Sequence, residues 1–178
     1  MSPIGHLAVG FAAKRAVPKV PLVVLLIAAW LPDILFFVFN FAGMESREQP
    51  APYSHGLLMN VMWSLLIGLL ALGISLDRRV GTALGLVVFS HWVLDFVSWN
   101  NLPLFLRGSR TVGLGLINEI GDFIVVFELA LLVPAVASYI AWLRNGRRDR
   151  RIGRGQAGRT PRAEVADSHS LEGKESHA

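Results

Sequence analysis

The sequence contains no cysteine and few charged residues. The absence of cysteine excludes disulfides, thiolate catalysis and zinc sites built on Cys ligands. Charged residues make up 17% of the 178-residue chain and hydrophobic residues 53%, against roughly 25% and 45–50% in an average soluble domain. The apolar stretches also lack the period-two alternation of transmembrane β-strands, which argues against a membrane barrel.

Four apolar runs have the length of a membrane-spanning helix, since an α-helix needs about 20 residues to cross the hydrocarbon core. They cover residues 20–42, 57–76, 80–98 and 123–143. A shorter helix is predicted over residues 3–16, and Pro32 is expected to kink or split the first long run. The sequence therefore predicts an all-α, polytopic helical membrane bundle of about four transmembrane helices plus a short N-terminal helix.

The composition changes sharply near the end of the chain. Residues 144–162 contain eight arginines and a single acid, Asp149. We therefore predict a helical membrane domain over residues 1–145 and a basic, disordered cytoplasmic tail over residues 146–178. Anionic lipid headgroups are the expected partner of the tail. No nucleic-acid partner is expected, because neither aromatic interleaving nor a binding motif accompanies the arginines.

The basic residues also predict an orientation. One side of a four-span bundle would carry Lys14, Arg15, Lys19, Arg78, Arg79 and the arginine tail. The other side would carry Arg47, Arg107 and Arg110. By the positive-inside rule the first side is cytoplasmic. We expect a multi-pass protein of a bacterial-type inner (plasma) membrane with both termini in the cytoplasm; the pattern leaves the oligomeric state open.

Ionisable side chains in and beside the predicted spans indicate where a site lies. Burying such a group costs about 2.5–3.5 kcal/mol at mid-helix, so these residues usually face an interior cavity and pair with one another. A rise of about 1.5 Å per residue places all of them in the outer half of the bilayer. They are Asp33, His55, His91, Asp95 and Glu128.

A metal site is the sharpest hypothesis for these residues. His91 and Asp95 are four residues apart and so project from one helix face. Imidazole nitrogens and carboxylate oxygens are good ligands for Zn²⁺, and also for Mn²⁺ or Fe²⁺. His55 and Asp33 would complete a set that holds a divalent ion, with Zn²⁺ expected, and such an ion activates water. Catalytic roles are predicted for Asp95, beside its role as ligand, and for Glu128, as general base or as a partner of a ligand.

Structural interpretations of the same residues stay open at this stage. His91 could donate a hydrogen bond to Asp95 and brace the bundle. Asp33 could cap the second half of a helix broken by the preceding proline. Ser54 could be the N-cap of the second span. None of these roles needs a metal ion.

The histidine of the first helix is ambiguous in the same way. His6 lies only roughly 12 Å above Lys14, if Lys14 marks the cytoplasmic boundary. It reaches the other polar groups only if the first helix is re-entrant or more deeply inserted. A ligand role and a structural role therefore both remain open for His6.

Four short motifs, GHLAVG, LPD, YSHG and SHWVLD, occur in this order over about residues 3–98. Their order and spacing resemble the bacterial inner-membrane metal-dependent hydrolases of the LexA-regulated type, which are more distantly similar to zinc-dependent phospholipase C. The chain departs from that pattern at Leu35, where a second Asp often follows LPD, and YSHG lacks the Arg and Thr of the fuller HRGxTHS form. The resemblance implies a metal-ligand set of His6, Asp33, His55, His91 and Asp95.

The leading functional hypothesis is a membrane-bound metal-dependent hydrolase that acts on an ester or phosphoester, with a lipid-linked substrate as the natural expectation. The first alternative is a small proton-coupled permease, in which the buried acids and histidines relay protons. The second is a non-catalytic membrane scaffold whose functional part is the arginine tail.

Overall fold

A computed structural model describes residues 3–47 and 50–157 of the protein. The helices are α1 (Pro3–Ala13), α2 (Leu22–Phe41), α3 (Leu57–Ser75), α4 (Arg78–Ser98), α5 (Leu116–Ile120) and α6 (Ile124–Ala157), with a 3-10 turn at Gly121–Phe123. Two short strands, β1 (Leu102–Pro103) and β2 (Thr111–Val112), form an antiparallel pair between α4 and α5. The chain is all-α apart from this pair in the described part, as the sequence predicts.

Four helices are long and apolar enough to cross a membrane: α2, α3, α4 and the part of α6 over Ile124–Gly146. At about 1.5 Å per residue each spans close to 30 Å, the thickness of a hydrocarbon core. Most of their apolar side chains face outward, since only 11% of the α3 span and 39% of the α4 span are buried inside the protein. A surface of this kind needs lipid around it. The predicted bundle of about four spanning helices plus a short N-terminal helix is confirmed.

The short helix α1 packs against both α2 and α4. Gly10 permits the close approach to α2, because a Cβ atom at this position would lie 2.9 Å from Leu26 Cδ2 and 3.1 Å from the Leu25 carbonyl oxygen. Lys14 follows α1 and is buried. Its ammonium donates hydrogen bonds to the carbonyl oxygens of Pro18, at 2.8 Å, and Val20. Lys14 therefore does not mark a boundary with water, and α1 lies inside the bundle.

A glycine seam joins α3 to α4. A Cβ atom on Gly81 would lie 2.8 Å from the carbonyl oxygen of Gly68, and one on Gly85 would lie 3.0 Å from that of Ser64. Small residues of this kind let two membrane helices approach closely. The close packing fixes α4 beside α3 and so sets the position of the polar residues that α4 carries.

The segment between α2 and α3 contacts the connection between α4 and α5 at one end of the bundle. The Leu58 amide at the start of α3 donates to the Leu104 carbonyl at 3.1 Å, and the Arg107 guanidinium donates to the Met44 carbonyl. The region 99–121 contains the β1–β2 pair as well as α5. These contacts hold the two connections against each other at this end of the bundle.

Two helices differ from the sequence-based expectation. α2 is continuous through Pro32, so Asp33 lies within a helix and does not cap a broken one. α6 continues to Ala157, because arginine is a good helix former and no proline stands between Pro134 and Pro161. The chain divides into two units, Met1–Ile140 and Ala141–Ala178. Residues 158–178 of the predicted disordered tail lie outside the described residues.

Candidate metal centre

Five side chains from separate parts of the chain converge within the bundle. His6 comes from α1 and Asp33 from α2, His55 precedes α3, and His91 and Asp95 come from α4. Their ligand atoms form two overlapping groups of three in which all atoms lie within 4.8 Å of one another. We call these five residues the His–Asp cluster. Every residue predicted as a metal ligand lies in it, including His6, whose position α1 determines by packing on α2 and α4.

The distances in the His–Asp cluster all join an imidazole Nε2 atom to a carboxylate oxygen. His55 Nε2 lies 3.3 Å from Asp33 Oδ1 and 3.5 Å from Asp95 Oδ2. His91 Nε2 lies 3.4 Å from Asp95 Oδ2 and 3.7 Å from Asp33 Oδ1. His6 Nε2 lies 3.4 Å from Asp95 Oδ1. The His55–Asp33 contact is a hydrogen bond when Nε2 carries a proton, and the other four contacts are 3.4–3.7 Å long.

These separations are compatible with ligands of a metal ion as well as with weak hydrogen bonds. A charge-assisted N–H···O bond is about 2.7–2.9 Å long, which is shorter than any of the five. Zn²⁺ binds His nitrogen at about 2.0–2.1 Å, so two ligands of a tetrahedral ion lie about 3.3–3.4 Å apart. The observed range of 3.3–3.7 Å therefore leaves room for an ion at the centre.

The tautomer of His91 is determined by a backbone carbonyl. His91 Nδ1 lies 2.9 Å from the carbonyl oxygen of Ala29, in the turn of α2 that precedes Pro32. A carbonyl can only accept, so Nδ1 carries a proton, and in the neutral ring Nε2 presents a lone pair. Nε2 is buried and has no hydrogen-bond partner in the described part of the chain. A buried acceptor of this kind, aimed at the cluster, fits a metal ligand.

The tautomer of His55 is determined in the same way by a side chain. His55 Nδ1 lies 2.8 Å from Ser54 Oγ, and the Ser54 hydroxyl donates to Glu45 Oε2 at 2.6 Å. Because the hydroxyl proton points to Glu45, the ring Nδ1–H must donate to Ser54. In the neutral ring His55 Nε2 then presents a lone pair to Asp33 and Asp95; in the doubly protonated ring it donates to Asp33 Oδ1 at 3.3 Å.

His6 forms the inner wall of the cluster. The ring is 1% exposed and stacks on that of His91, with centroids 3.7 Å apart and an interplanar angle of 14°. Burial is the largest influence and lowers the pKa of His6 below its ordinary value. The neutral ring keeps a lone pair available for a metal ion.

The charges of the cluster also favour a cation. Two aspartates give the cluster a net charge of −2 when its three imidazoles are neutral, and a buried, uncompensated charge is strongly unfavourable. A divalent ion would balance this charge. The residues therefore fit a divalent metal ion in donor type, separation and charge.

A cleft of about 450 Å³ leads to the cluster from the end of the bundle that carries the loops. Asp33, His55 and Asp95 line it, whereas His6 and His91 do not. Arg47 also lines the cleft and is exposed. The cluster therefore has a closed side, made by two histidines, and an accessible side.

Glu128 lies on α6 and is fully buried. It is not among the residues whose ligand atoms form the two close groups in the described chain. Its predicted role as general base stays a prediction.

Sequence reasoning missed the residues that hold the two histidine rings. The carbonyl of Ala29 and the carboxylate of Glu45 give no signal in the sequence, because each acts across a separation that only the fold closes. The N-cap of α3 is Gly56, so the interpretation of Ser54 as the cap is wrong; its hydroxyl bonds to Glu45 instead. The adjacency of Ser54 and His55 in YSHG is the only sequence signal for this contact.

The fold and the cluster define a class of protein: a helical membrane bundle with three histidines and two aspartates, three of them buried and two partly buried, that could hold a divalent ion. No protein-family model, curated protein or solved structure matches the chain. The assignment of function therefore depends on the chemistry of the His–Asp cluster and of the cleft beside it.

Proposed function

We propose that the protein is a membrane-embedded, metal-dependent hydrolase, with Zn²⁺ as the expected ion. The observation that carries the proposal is the convergence of three histidines and two aspartates, whose ligand atoms form two groups of three within 4.8 Å. Nδ1 of His55 and of His91 lies on an acceptor, so in the neutral form each ring directs its Nε2 lone pair at carboxylate oxygens 3.3–3.7 Å away. Facing lone pairs repel unless a proton or a metal cation lies between them. The motif resemblance noted above implies the same chemistry.

The residues of the cluster would have different roles at such a site. A bound divalent ion supplies Lewis acidity and makes water nucleophilic at neutral pH. His6 and His91 hold the closed side, where burial excludes bulk water. Asp33, His55 and Asp95 border the cleft, so a substrate in the cleft meets their side of the cluster.

The cleft supports an ester or phosphoester of an amphiphile as substrate. Its volume of about 450 Å³ suits a headgroup, since small-molecule sites commonly measure about 300–1,000 Å³. Arg47 offers a planar guanidinium of the kind that binds phosphate in a bidentate manner. Trp30 and Trp99 line the same cleft, and tryptophan is enriched at membrane interfaces. We propose access from the outer leaflet of a bacterial-type inner membrane with both termini cytoplasmic, since the cleft lies at the end poorer in basic residues.

The test begins with metal content. Full-length protein purified in detergent, stripped with EDTA and titrated with Zn²⁺ should bind about one ion per chain. Asp95→Asn removes a ligand charge with little change in shape and should abolish stoichiometric binding. Asp77→Asn is the matched control, because Asp77 caps α4 through the Arg79 amide and asparagine caps equally well. Failure of the wild-type protein to bind any divalent metal would contradict the proposal.

The second experiment measures hydrolytic activity in the same samples. The zinc-loaded protein should hydrolyse a generic ester or phosphodiester reporter in mixed micelles, and the Asp95→Asn variant should not. Chelator-insensitive, pH-gradient-driven proton flux in proteoliposomes would favour the permease instead. A phenotype that survives Asp95→Asn but is lost when residues 146–178 are deleted would favour the scaffold.

A further inference from the structure

We infer that Glu45 is a positioning residue of the candidate site, which acts through Ser54 to fix the ring of His55 as a metal ligand. Glu45 lies in the loop after α2, outside the His–Asp cluster and the cleft lining. The effect on metal affinity rests on the proposed function, whereas the effect on the His55 tautomer does not.

Glu45 is a buried carboxylate held by its own surroundings. It is only 6% exposed. Its amide donates to the Phe39 carbonyl at 3.2 Å, and its carbonyl accepts from Asn40 Nδ2 at 3.0 Å. The main chain at Glu45 is thereby tied to the C-terminal end of α2, which places the carboxylate against the segment before α3.

Three donors satisfy the two carboxylate oxygens. Oε1 accepts from the amides of Tyr53, at 2.6 Å, and Ser54, at 3.0 Å. Oε2 accepts from the Ser54 hydroxyl at 2.6 Å, a length typical of O–H···O⁻ bonds. An ionised carboxylate can only accept, so this arrangement leaves a single direction for the Ser54 proton.

The direction of the Ser54 hydroxyl proton determines the tautomer of His55. Since the hydroxyl proton of Ser54 is used toward Glu45, Ser54 Oγ can only accept from His55 Nδ1 at 2.8 Å. His55 must then carry a proton on Nδ1, which in the neutral ring leaves the Nε2 lone pair facing Asp33 Oδ1, 3.3 Å away. A neutral amide in place of Glu45 could donate to Ser54, reverse the hydroxyl and move the His55 proton to Nε2, where it would block ligation.

The segment around Ser54 is anchored independently of Glu45. Asn60 Nδ2 donates to the Ser54 carbonyl at 2.8 Å, and Trp63 Nε1 donates to the Tyr53 carbonyl at 2.9 Å. Loss of the Glu45 charge should therefore leave this segment in place. The expected change is confined to the proton on the hydroxyl and on the ring.

The test uses Glu45→Gln in the full-length protein, with Glu119→Gln as the matched control on exposed α5. In EDTA, nitrogen-15 shifts of histidine-labelled protein should show His55 protonated on Nδ1 in the wild type and in the control, and on Nε2 in Glu45→Gln. His55→Asn assigns the signal. Zn²⁺ affinity should fall about 10–100-fold in Glu45→Gln, as is usual when the partner of a ligand is lost, and should not change in the control.

Ser54→Ala is the second variant, and it tests the role of the Glu45–Ser54 contact if Glu45→Gln does not fold. It removes the link while leaving Glu45 and His55 unchanged, so it should also release the His55 tautomer and weaken Zn²⁺ binding. The double variant should lose no more affinity than the single ones, because both act through one chain of contacts. Wild-type ring shifts in both single variants would overturn the role of Glu45. Wild-type protein that binds no Zn²⁺, with the ring shifts changed as expected, would overturn the proposed function and leave this role standing.

Discussion

Each histidine of the cluster reaches it with a different kind of support. His91 is held by a backbone carbonyl, His55 by a hydroxyl backed by a carboxylate, and His6 by stacking on His91. The hydrogen bonds on Nδ1 fix the orientation of the His91 and His55 rings, whereas His6 Nδ1 has no hydrogen-bond partner among the described residues. At this scale the sequence identifies the ligand candidates and misses their supports.

Arg47 provides a residue-scale prediction about the substrate. Arg47→Ala should lower kcat/KM for an anionic substrate at least about tenfold, mainly through KM, since a hydrogen bond to a charged group contributes about 1.5–3 kcal/mol. Metal content should not change, because Arg47 lines the cleft without belonging to the cluster.

The matched control is Arg110→Ala, which removes an exposed arginine of the β1–β2 connection that does not line the cleft. Steady-state kinetics with an anionic and a neutral ester of similar size would separate the two arginines. Equal losses on both substrates would mean that Arg47 does not recognise charge.

Most residues of the His–Asp cluster lie on helices, and the packing of these helices depends on small side chains. The sequence predicted the spans within a few residues, because 20 apolar positions in a row have few alternatives in a membrane. It left open which helix faces would meet. Close approach at Gly10 and at the Gly68–Gly81 seam settles that, and the same approach brings α1 and α4 to the cluster.

The glycine seam gives an element-scale prediction. Gly81→Ala should destabilise the bundle by about 1–3 kcal/mol, because its Cβ would meet the Gly68 carbonyl at 2.8 Å and Leu72 Cβ at 2.9 Å. Gly73→Ala is the control on α3, where no atom of the described residues lies within 4 Å of the added Cβ; it should stabilise by up to about 1 kcal/mol through helix propensity.

Unfolding of the two variants in mixed detergent micelles, followed by circular dichroism, measures both effects. Gly81→Ala should also weaken Zn²⁺ binding, since α4 carries two members of the cluster. Equal stability of the two alanine variants would show that the α3–α4 contact is looser than described.

At the scale of the whole molecule, the distribution of basic residues predicts which face of the membrane each end of the bundle meets. The chain has no cysteine, so single cysteines can report this without background. Ser75→Cys, beside the α3–α4 turn, should be protected from a membrane-impermeant maleimide added to intact cells. Thr111→Cys, in β2, should react.

Lysis should expose Ser75→Cys and leave the labelling of Thr111→Cys unchanged, which controls for burial of either thiol. Both positions are exposed in the protein. The reverse pattern in intact cells would place the cleft on the cytoplasmic side and rule out access from the outer leaflet.

The sequence by itself determined the class of structure and the candidate ligands. Long apolar runs can satisfy their backbone groups in lipid only as helices, and ionisable residues inside such runs are too costly to be placed without a partner. Neither inference needs a contact between distant residues.

Tertiary structure alone decided that His6 joins the cluster, that α2 passes unbroken through Pro32, and that Glu45 supports His55 through Ser54. Each of these depends on how two helices or a loop and a helix pack, and packing is set by close approach at a few small residues. Sequence periodicity describes one element at a time, so it cannot give the distance between two.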